Sequence, residues 1–131
     1  MVDKSKCDVI VIDDEMDVRE SLKQLFSLEG FEVYAMADAK AALGFISTKF
    51  QGVIISDIRM PEMDGLTFLK EVKKLNKLLP VILITGHGDI KLAVKSLKLG
   101  ATDFLEKPFN PTDLVDQVKV LSSQRQAVIE S

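Results

Sequence analysis

Acidic side chains follow two of the short apolar runs in this sequence. Asp13 and Asp14 come directly after the run that ends at Ile12, and Asp57 comes directly after Ser56. If these runs are neighbouring parallel strands, the three carboxylates meet at one edge of a sheet, where such folds bind ligands. Carboxylates that close together raise each other's pKa unless a cation neutralises them. Hard oxygen ligands suit Mg²⁺, or alternatively Mn²⁺, with water and a phosphoryl group completing the shell, so the pattern predicts a phosphoryl-transfer site.

Two further polar residues lie at the ends of later apolar runs. Thr85 closes the fourth run, and Lys107 follows the fifth. A carboxylate can attack phosphorus to give an acyl phosphate. The Lys107 ammonium group would then stabilise charge on the phosphoryl oxygens, and the Thr85 hydroxyl would hydrogen-bond the product. Pro108 makes the next peptide bond a candidate for the cis form, which would fix the loop that aims Lys107.

The elements that must position these residues form a repeating pattern. Short runs rich in valine and isoleucine alternate five times with amphipathic stretches, which predicts an α/β fold with a parallel sheet. Four of the five runs are almost entirely apolar, as expected for strands that are covered on both faces. The predicted strands are 7–12, 32–36, 52–56, 81–85 and 102–105.

The first three intervening stretches have clear helix signals. The first helix is predicted over 17–29, with Gly30 in the position favoured for a left-handed residue after a helix. Asp38 is predicted to be the N-cap of the second helix, and Asp64 that of the third. The residues of the first helix that are predicted to face the core are Val18, Leu22, Leu25 and Phe26.

The last two helices follow loops that contain candidate site residues. The fourth helix is predicted to follow Gly88 and Asp89, and the fifth to begin with Asn110 as N-cap and Pro111 in the first helical position. The residues of the fourth helix that are predicted to face the core are Ile90, Ala93, Val94 and Leu97. Those predicted to face solvent are Lys91, Lys95 and Lys98.

Size and composition exclude several classes of protein. The 131 residues, of which 47% are hydrophobic and 28% charged, fit one globular domain. A net charge of −3 argues against nucleic-acid binding by this segment. The apolar runs are far too short to span a bilayer, and the N-terminus has no signal-peptide pattern, so we expect a cytoplasmic protein. Cys7 is the only cysteine, which excludes an internal disulfide, and we expect it to be a thiol without a chemical role.

Four motifs together resemble the receiver domains of two-component response regulators. They are the segments 11–15 (VIDDE), 56–65 (SDIRMPEMDG), 85–89 (TGHGD) and 104–109 (FLEKPF). They occur in order with receiver-like spacing, and the resemblance covers 7–121. It implies a flavodoxin-like, doubly wound (βα)₅ fold with a five-stranded parallel sheet of strand order 2-1-3-4-5.

The resemblance also implies a role for each matching residue. Asp57 matches the aspartate that accepts a phosphoryl group from a sensor histidine kinase, and Lys107 matches the lysine that contacts the phosphate. The side chains of Asp13, Asp14 and Asp57 and the backbone carbonyl of Arg59 match the Mg²⁺ ligands. A protein of this kind is a phosphoacceptor switch that catalyses only its own phosphorylation and dephosphorylation, not a conventional enzyme.

Thr85 and Phe104 match the pair that couples phosphorylation to the surface formed by the fourth helix, the fifth strand and the fifth helix. Many receivers carry tyrosine where this chain has Phe104, so its inward-turned ring would gain energy from packing alone. Arg59 and His87 match positions that influence the lifetime of the phosphoryl group in receivers. Whether they do so in this chain stays open at the level of the sequence.

Within the family, the motifs are most similar to receivers of sigma-54-dependent activators of the C4-dicarboxylate transport regulator type, although receivers of nitrogen-fixation regulators share the 85–89 motif. That resemblance implies a receiver domain at 1–121 and a C-terminal helical extension at 122–131 toward an ATPase and DNA-binding output domain. A homodimer through the fourth helix, fifth strand and fifth helix is expected. The alternative is a stand-alone receiver. A short seam of coiled-coil spacing runs through Leu114, Val118, Leu121, Arg125 and Val128.

Two other function classes use related chemistry or a related fold. Haloacid-dehalogenase phosphatases have an aspartyl nucleophile and Mg²⁺, but they carry two aspartates separated by one residue, where this chain has Asp13, Asp14 and Glu15. Flavin-binding electron carriers need a hydroxyl- and glycine-rich loop after the first strand, where this chain has acids that would repel the flavin phosphate. Both alternatives are therefore disfavoured by the sequence.

Overall fold

The computed structural model describes residues 8–46, 50–60, 62–86 and 88–130, with side chains as far as 124. Cys7 and His87, whose roles were considered above, lie outside the described residues. The described chain forms one five-stranded parallel sheet in the order β2-β1-β3-β4-β5, which confirms the predicted topology. The strands are β1 Val9–Ile12, β2 Val33–Met36, β3 Val53–Asp57, β4 Val81–Thr85 and β5 Asp103–Glu106.

The strand bounds differ from the predicted ones by a residue or two at most ends, and one difference matters. The third strand was predicted to end at Ser56, but β3 extends through Asp57, which pairs with Ile84 of β4. Asp57 is therefore the last residue of a buried strand and not the first residue of a loop. Its backbone is held by the sheet, which fixes the direction in which its side chain leaves.

Five helices connect and follow the strands. They are α1 Met16–Leu28, α2 Ala39–Phe45, α3 Gly65–Leu75, α4 Ile90–Lys98 and α5 Pro111–Glu130. The predicted N-caps of α2 and α3 are confirmed, because Asp38 accepts from the Ala41 N–H and Asp64 from the Thr67 N–H. Gly30 has a φ of 93° after α1, as its predicted left-handed position requires.

The helices cover both faces of the sheet and divide the core into two halves. Alternate strand residues point to opposite faces. Ile10, Ile54 and Leu83 pack with residues of α2, α3 and α4 on one face. Val11, Ile55 and Ile84 pack with residues of α1 and α5 on the other, including the confirmed core positions Leu22 and Phe26. The three central strands β1, β3 and β4 are thus buried on both sides, whereas the edge strands β2 and β5 are only partly buried.

The prediction that Ile90, Val94 and Leu97 of α4 face the core is wrong. Ala93 is buried as predicted, but its buried companion is Ser96, whereas Ile90, Val94 and Leu97 are each more than 40% exposed. The small side chains of Ala93 and Ser96 allow close packing against the sheet, and the Ser96 hydroxyl is satisfied by donating to the Ala93 carbonyl at 2.5 Å. The apolar stripe of α4 is wider than the buried face, so part of it remains at the surface.

Helix α5 continues through Glu130. The first half of its predicted seam belongs to the domain's own core: Leu114 and Val118 are fully buried, and Leu121 packs against the same cluster. Those three positions are therefore not available as a seam for a second helix. Within the described residues, no helix combines the length and apolar character needed to cross a membrane.

Candidate functional site

The carboxyl ends of β1 and β3 bring the three predicted acids together. The two strands pair directly, with Ile12 opposite Ser56, so Asp13 and Asp57 leave the sheet side by side. One carboxylate oxygen from each of Asp13, Asp14 and Asp57 lies within 4.8 Å of the other two. Asp13 and Asp57 are buried, and Asp14 is exposed. The cluster predicted from the sequence is thus confirmed as an arrangement of residues.

Asp13 is the most deeply buried acid of the cluster. Its Oδ1 accepts a hydrogen bond from the Glu15 N–H at 2.9 Å, but its buried Oδ2 has no hydrogen-bond partner among the described residues. Burial raises the pKa of Asp13, and the neighbouring Asp57 raises it further, against the effects of the Glu15 hydrogen bond and of Lys107. A buried carboxylate oxygen without a partner is the group that a bound cation would satisfy.

Lys107 supplies a positive charge at the cluster. Its Nζ donates to Asp57 Oδ2 at 3.2 Å and lies 3.9 Å from Asp13 Oδ2 and 3.7 Å from Glu15 Oε1. Burial lowers the pKa of Lys107, but the three carboxylates, led by Asp57, outweigh that effect and raise it. The ammonium group therefore stays charged beside these carboxylates.

The loop that carries Lys107 is anchored to the neighbouring strand. The Lys107 N–H donates to the Thr85 carbonyl at 2.8 Å, and the peptide bond between Lys107 and Pro108 is cis, as predicted. Lys107 and Thr85 are thus tied together by their backbones at the open end of the sheet.

The residues present fit a hard divalent cation. The three carboxylates offer oxygen ligands with no sulfur or nitrogen among them, which is the donor set that Mg²⁺ or Mn²⁺ prefers. The unpartnered Oδ2 of Asp13 and the excess of acids over Lys107 indicate an unbalanced negative charge at this point. The backbone of Arg59 passes beside the cluster, with its N–H 3.3 Å from Asp57 Oδ1.

The predicted switch residues flank the site. Thr85 is fully buried at the end of β4, and its hydroxyl donates to the Gly86 carbonyl at 3.2 Å, within its own loop. Phe104 lies on β5 opposite Leu83 and packs, partly buried, against the core cluster on the α2, α3 and α4 face. The hydrogen-bond partners of the Asp57 carboxylate are the Arg59 N–H and Lys107 Nζ. The Thr85 hydroxyl thus bonds within its own loop, at the end of the strand that pairs with β3.

Three contributors to the site were not predicted from the sequence. Glu15 approaches Lys107, and Arg19 donates from Nη1 to the Asp13 carbonyl at 2.9 Å. The Arg59 side chain forms a two-pronged ion pair with Asp89, which lies 30 positions away. The hydrogen bonds of this ion pair raise the pKa of Arg59 and lower the pKa of Asp89, so both groups are held in their charged forms. No local sequence signal marks a pair of this separation.

An apolar depression of about 410 Å³ opens beside Lys107. It lies between α1 and the start of α5. Its lining residues are Asp17, Val18, Ser21, Leu22, Lys107, Pro108, Phe109 and Pro111.

Comparison with known proteins agrees with this geometry. C4-dicarboxylate transport transcriptional regulatory protein DctD of Rhizobium meliloti (strain 1021) is 44% identical over 123 residues, which cover 94% of this chain and 27% of DctD. Transcriptional regulatory protein FixJ of Bradyrhizobium diazoefficiens is 42% identical over 123 residues, which cover 94% of this chain and 59% of FixJ. The chain therefore spans less than two thirds of the length of either relative. The predicted similarity to dicarboxylate transport regulators is confirmed.

A solved structure shows the same fold. The crystal structure of a response regulator receiver domain protein from Clostridium thermocellum has a TM-score of 0.85 and 31% identity, covering 94% of this chain and 98% of that one. The sequence also matches the family described as "Response regulator receiver domain" over residues 9–119. The match decides among the three classes considered above, against the phosphatase and the flavin carrier. Because it spans most of the chain and all four motifs, this protein belongs to the response regulator receiver domain family.

Proposed function

We propose that Asp57 accepts a phosphoryl group, and that Asp13, Asp14, Asp57 and the backbone carbonyl of Arg59 hold the Mg²⁺ that this requires. The observation that carries the proposal is the convergence of three carboxylates with Lys107, whose Nζ is 3.2 Å from Asp57 Oδ2. Asp57 is fixed at the end of β3, and only a small part of its side chain is exposed. Of the three carboxylates, it is the one that accepts a hydrogen bond from the Lys107 ammonium group.

The chemistry follows from the charges on these side chains. A carboxylate oxygen of Asp57 attacks the phosphorus atom of a phosphohistidine, a P–O bond forms, the P–N bond breaks, and the imidazole leaves with the electron pair of that bond. Lys107 stabilises the charge on the transferred oxygens, since its pKa is held high by the same carboxylates. When bound, Mg²⁺ neutralises the acids and the developing phosphoryl charge.

We infer that Thr85 and Phe104 respond to the new group. The Thr85 hydroxyl, which now donates to Gly86, would turn toward the phosphoryl oxygens, and the Phe104 ring would move into the space vacated next to it. Lys107 would follow, because its N–H is bound to the Thr85 carbonyl. The result is a change at α4, β5 and α5, where Ile90, Val94 and Leu97 already lie at the surface.

The proposed partners follow from the family and from two surfaces. We expect a sensor histidine kinase in the cytoplasm to dock at the apolar depression beside Lys107, where a partner helix would cover Val18, Leu22 and Phe109.

We propose that residues 1–121 form the receiver and 122–131 lead to an output domain of the sigma-54-activator type, consistent with the similarity to DctD. The exposed apolar residues of α4 support a homodimer through α4, β5 and α5.

The proposal is tested by phosphorylation with a small donor. The chain is incubated with acetyl phosphate and Mg²⁺, and its intact mass is compared with that of Asp57→Asn and of a sample without metal. We expect a single phosphoryl adduct that needs Mg²⁺ and is lost in the variant. An adduct that persists in Asp57→Asn would overturn the assignment of the phosphoacceptor.

A further inference from the structure

Asp89 stands at the N-cap position of α4, but its carboxylate does not cap that helix. Arg59 occupies both oxygens: Nε donates to Oδ2 at 2.8 Å and Nη2 donates to Oδ1 at 2.6 Å. The Asp89 side chain accepts no hydrogen bond from α4. An aspartate at an N-cap ordinarily accepts from a backbone N–H of the first helical turn, because those donors have no partner within the helix. Asp89 therefore binds Arg59 in place of capping α4.

Two other helices of this chain show what an unengaged aspartate does at the same position. Asp38 caps α2 by accepting from the Ala41 N–H, and Asp64 caps α3 by accepting from the Thr67 N–H, both at 2.8 Å. Both have extended backbones, with ψ angles of 158° and 168°. Asp89 has a ψ of 23°. Residue type and position are the same, and Asp89 differs from the other two in its arginine partner and in its backbone angle.

Arg59 connects this pair to the phosphoacceptor. It lies two residues after Asp57, and its N–H is 3.3 Å from Asp57 Oδ1. Its side chain is 73% exposed, whereas the side chain of Asp89 is 9% exposed. The Arg59 side chain is thus open to solvent, whereas the Asp89 carboxylate is nearly enclosed and would need another hydrogen-bond donor if Arg59 left it. A phosphoryl group on Asp57 would offer the guanidinium an acceptor with more negative charge and matching geometry.

We propose that Arg59 and Asp89 form a switch with two positions, in which phosphorylation of Asp57 draws the guanidinium away and the released Asp89 carboxylate caps α4. The inference rests on the proposed phosphorylation of Asp57. Both positions leave Asp89 with hydrogen-bond partners, which makes them two discrete states and not a continuous deformation. Arg59 and Asp89 are positioning residues in this scheme, since they act on α4 and not on the reacting atoms.

The exchange would move the segment that joins Thr85 to α4. The ψ angle of Asp89 must turn from 23° into the extended range of Asp38 and Asp64. The Asp89 N–H donates to the Gly86 carbonyl at 3.2 Å. Gly86, the acceptor of that bond, also accepts the Thr85 hydroxyl. The cap of α4 and the hydroxyl of Thr85 therefore depend on the same short turn.

The first test needs no phosphoryl group. Amide hydrogen exchange of Lys91 and Leu92, the second and third residues of α4, is measured by NMR in the unphosphorylated chain and in Arg59→Met. Freed from Arg59, Asp89 should cap the helix and slow the exchange of at least one of these amides about fivefold, as a cap of ordinary strength would. The slowing should vanish when Arg59→Met is combined with Asp89→Ala.

Lys40→Met is the matched control, because Lys40 pairs with Glu62 at 3.6 Å on the surface and its loss removes a cation without releasing Asp89. We expect no slowing at Lys91 or Leu92 in that variant. Exchange that is unchanged or faster in Arg59→Met would overturn the inference, whatever the fate of Asp57.

The second test adds beryllofluoride with Mg²⁺ to the unmodified chain. Binding is read from the amide shifts of Asp57 and Lys107, and the cap from the exchange of Lys91 and Leu92, which should slow as in Arg59→Met. Binding without slowing would overturn the inference and leave the proposed function standing. Failure to bind would count against the proposed function itself, and with it the phosphoryl-driven half of the switch.

Discussion

Replacement of Asp13 by asparagine should stabilise the metal-free protein. Asp13 is 1% exposed, its Oδ2 has no hydrogen-bond partner among the described residues, and burial raises its pKa. In Asp13→Asn, Oδ1 can still accept the Glu15 N–H, and the new amide N–H₂ can donate to the neighbouring carboxylates in place of repelling them. The substitution removes a charge and keeps the shape of the side chain.

The size of the effect follows from the distances. At the upper limit of 4.8 Å and an effective dielectric constant of about 20, Asp14 and Asp57 would each repel Asp13 by at least roughly 3.5 kcal/mol, and Lys107 at 3.9 Å would attract it by about 4 kcal/mol. The net repulsion is roughly 3 kcal/mol, of which solvent around the exposed Asp14 screens a part. We expect Asp13→Asn to raise the free energy of unfolding by about 1 to 2 kcal/mol, or the melting temperature by roughly 4 to 8 °C.

The pH dependence has a definite sign. The pKa of Asp13 is raised above its ordinary value of 3.8, so between 3.8 and the raised value the folded chain binds more protons than the unfolded chain. The free energy of unfolding therefore falls as pH rises through that interval, and this fall is absent in Asp13→Asn. The stability difference between the two proteins should be small at acid pH and reach its full size toward neutral pH.

The assay is urea unfolding followed by circular dichroism, in EDTA and then in excess Mg²⁺. Mg²⁺ should narrow the difference, because it binds and stabilises the folded protein that retains all three acids. Asp38→Asn is the matched control, since asparagine caps a helix as well as aspartate does and Asp38 lies outside the cluster. The reasoning is refuted if Asp13→Asn is no more stable than the unmodified chain in EDTA near neutral pH.

Three shorter predictions concern other parts of the site and surface. Lys107→Met should lower the free energy of unfolding by roughly 2 kcal/mol in EDTA, because it leaves the acids without their cation, and equal urea midpoints would contradict this. Gly65→Ala should cost about 1 to 3 kcal/mol, because its Cβ would lie 2.7 Å from the Asp57 carbonyl oxygen and the Ile58 Cα, and an unchanged melting temperature would count against that contact. Leu97→Glu should abolish any dimer that beryllofluoride induces in sedimentation equilibrium while leaving the melting temperature nearly unchanged, since Leu97 is 41% exposed; a dimer that survives would move the interface elsewhere.

The fold and the cluster were predictable because each depends on a repeated local signal. Buried parallel strands are apolar throughout, and Asp13, Asp57 and Lys107 are polar residues at the points where such runs end or have just ended. The strand order was supplied by resemblance and not by periodicity. Once the strands are adjacent, convergence of the acids follows from the geometry of the sheet.

Other features depend on contacts that leave no such signal. The face that α4 turns toward the sheet is set by the small residues Ala93 and Ser96. The apolar stripe of α4 is wider than this face, so the sequence pattern does not show which part of the stripe is buried. The ion pair of Arg59 and Asp89 joins residues that are 30 positions apart in the sequence. The residues next to either one in the sequence therefore give no sign of the pair. Asp89 was predicted only as a residue before α4, and its failure to cap the helix is visible only in three dimensions.

The most direct test of the phosphoacceptor is chemical identification of the modified residue. The chain is treated with acetyl phosphate and Mg²⁺, the acyl phosphate is reduced with borohydride, and the peptides are sequenced by mass spectrometry. We expect homoserine at position 57 and unmodified aspartate at Asp13 and Asp14. Homoserine at position 13 or 14, with Asp57 intact, would contradict the assignment of Asp57 as the residue that accepts the phosphoryl group.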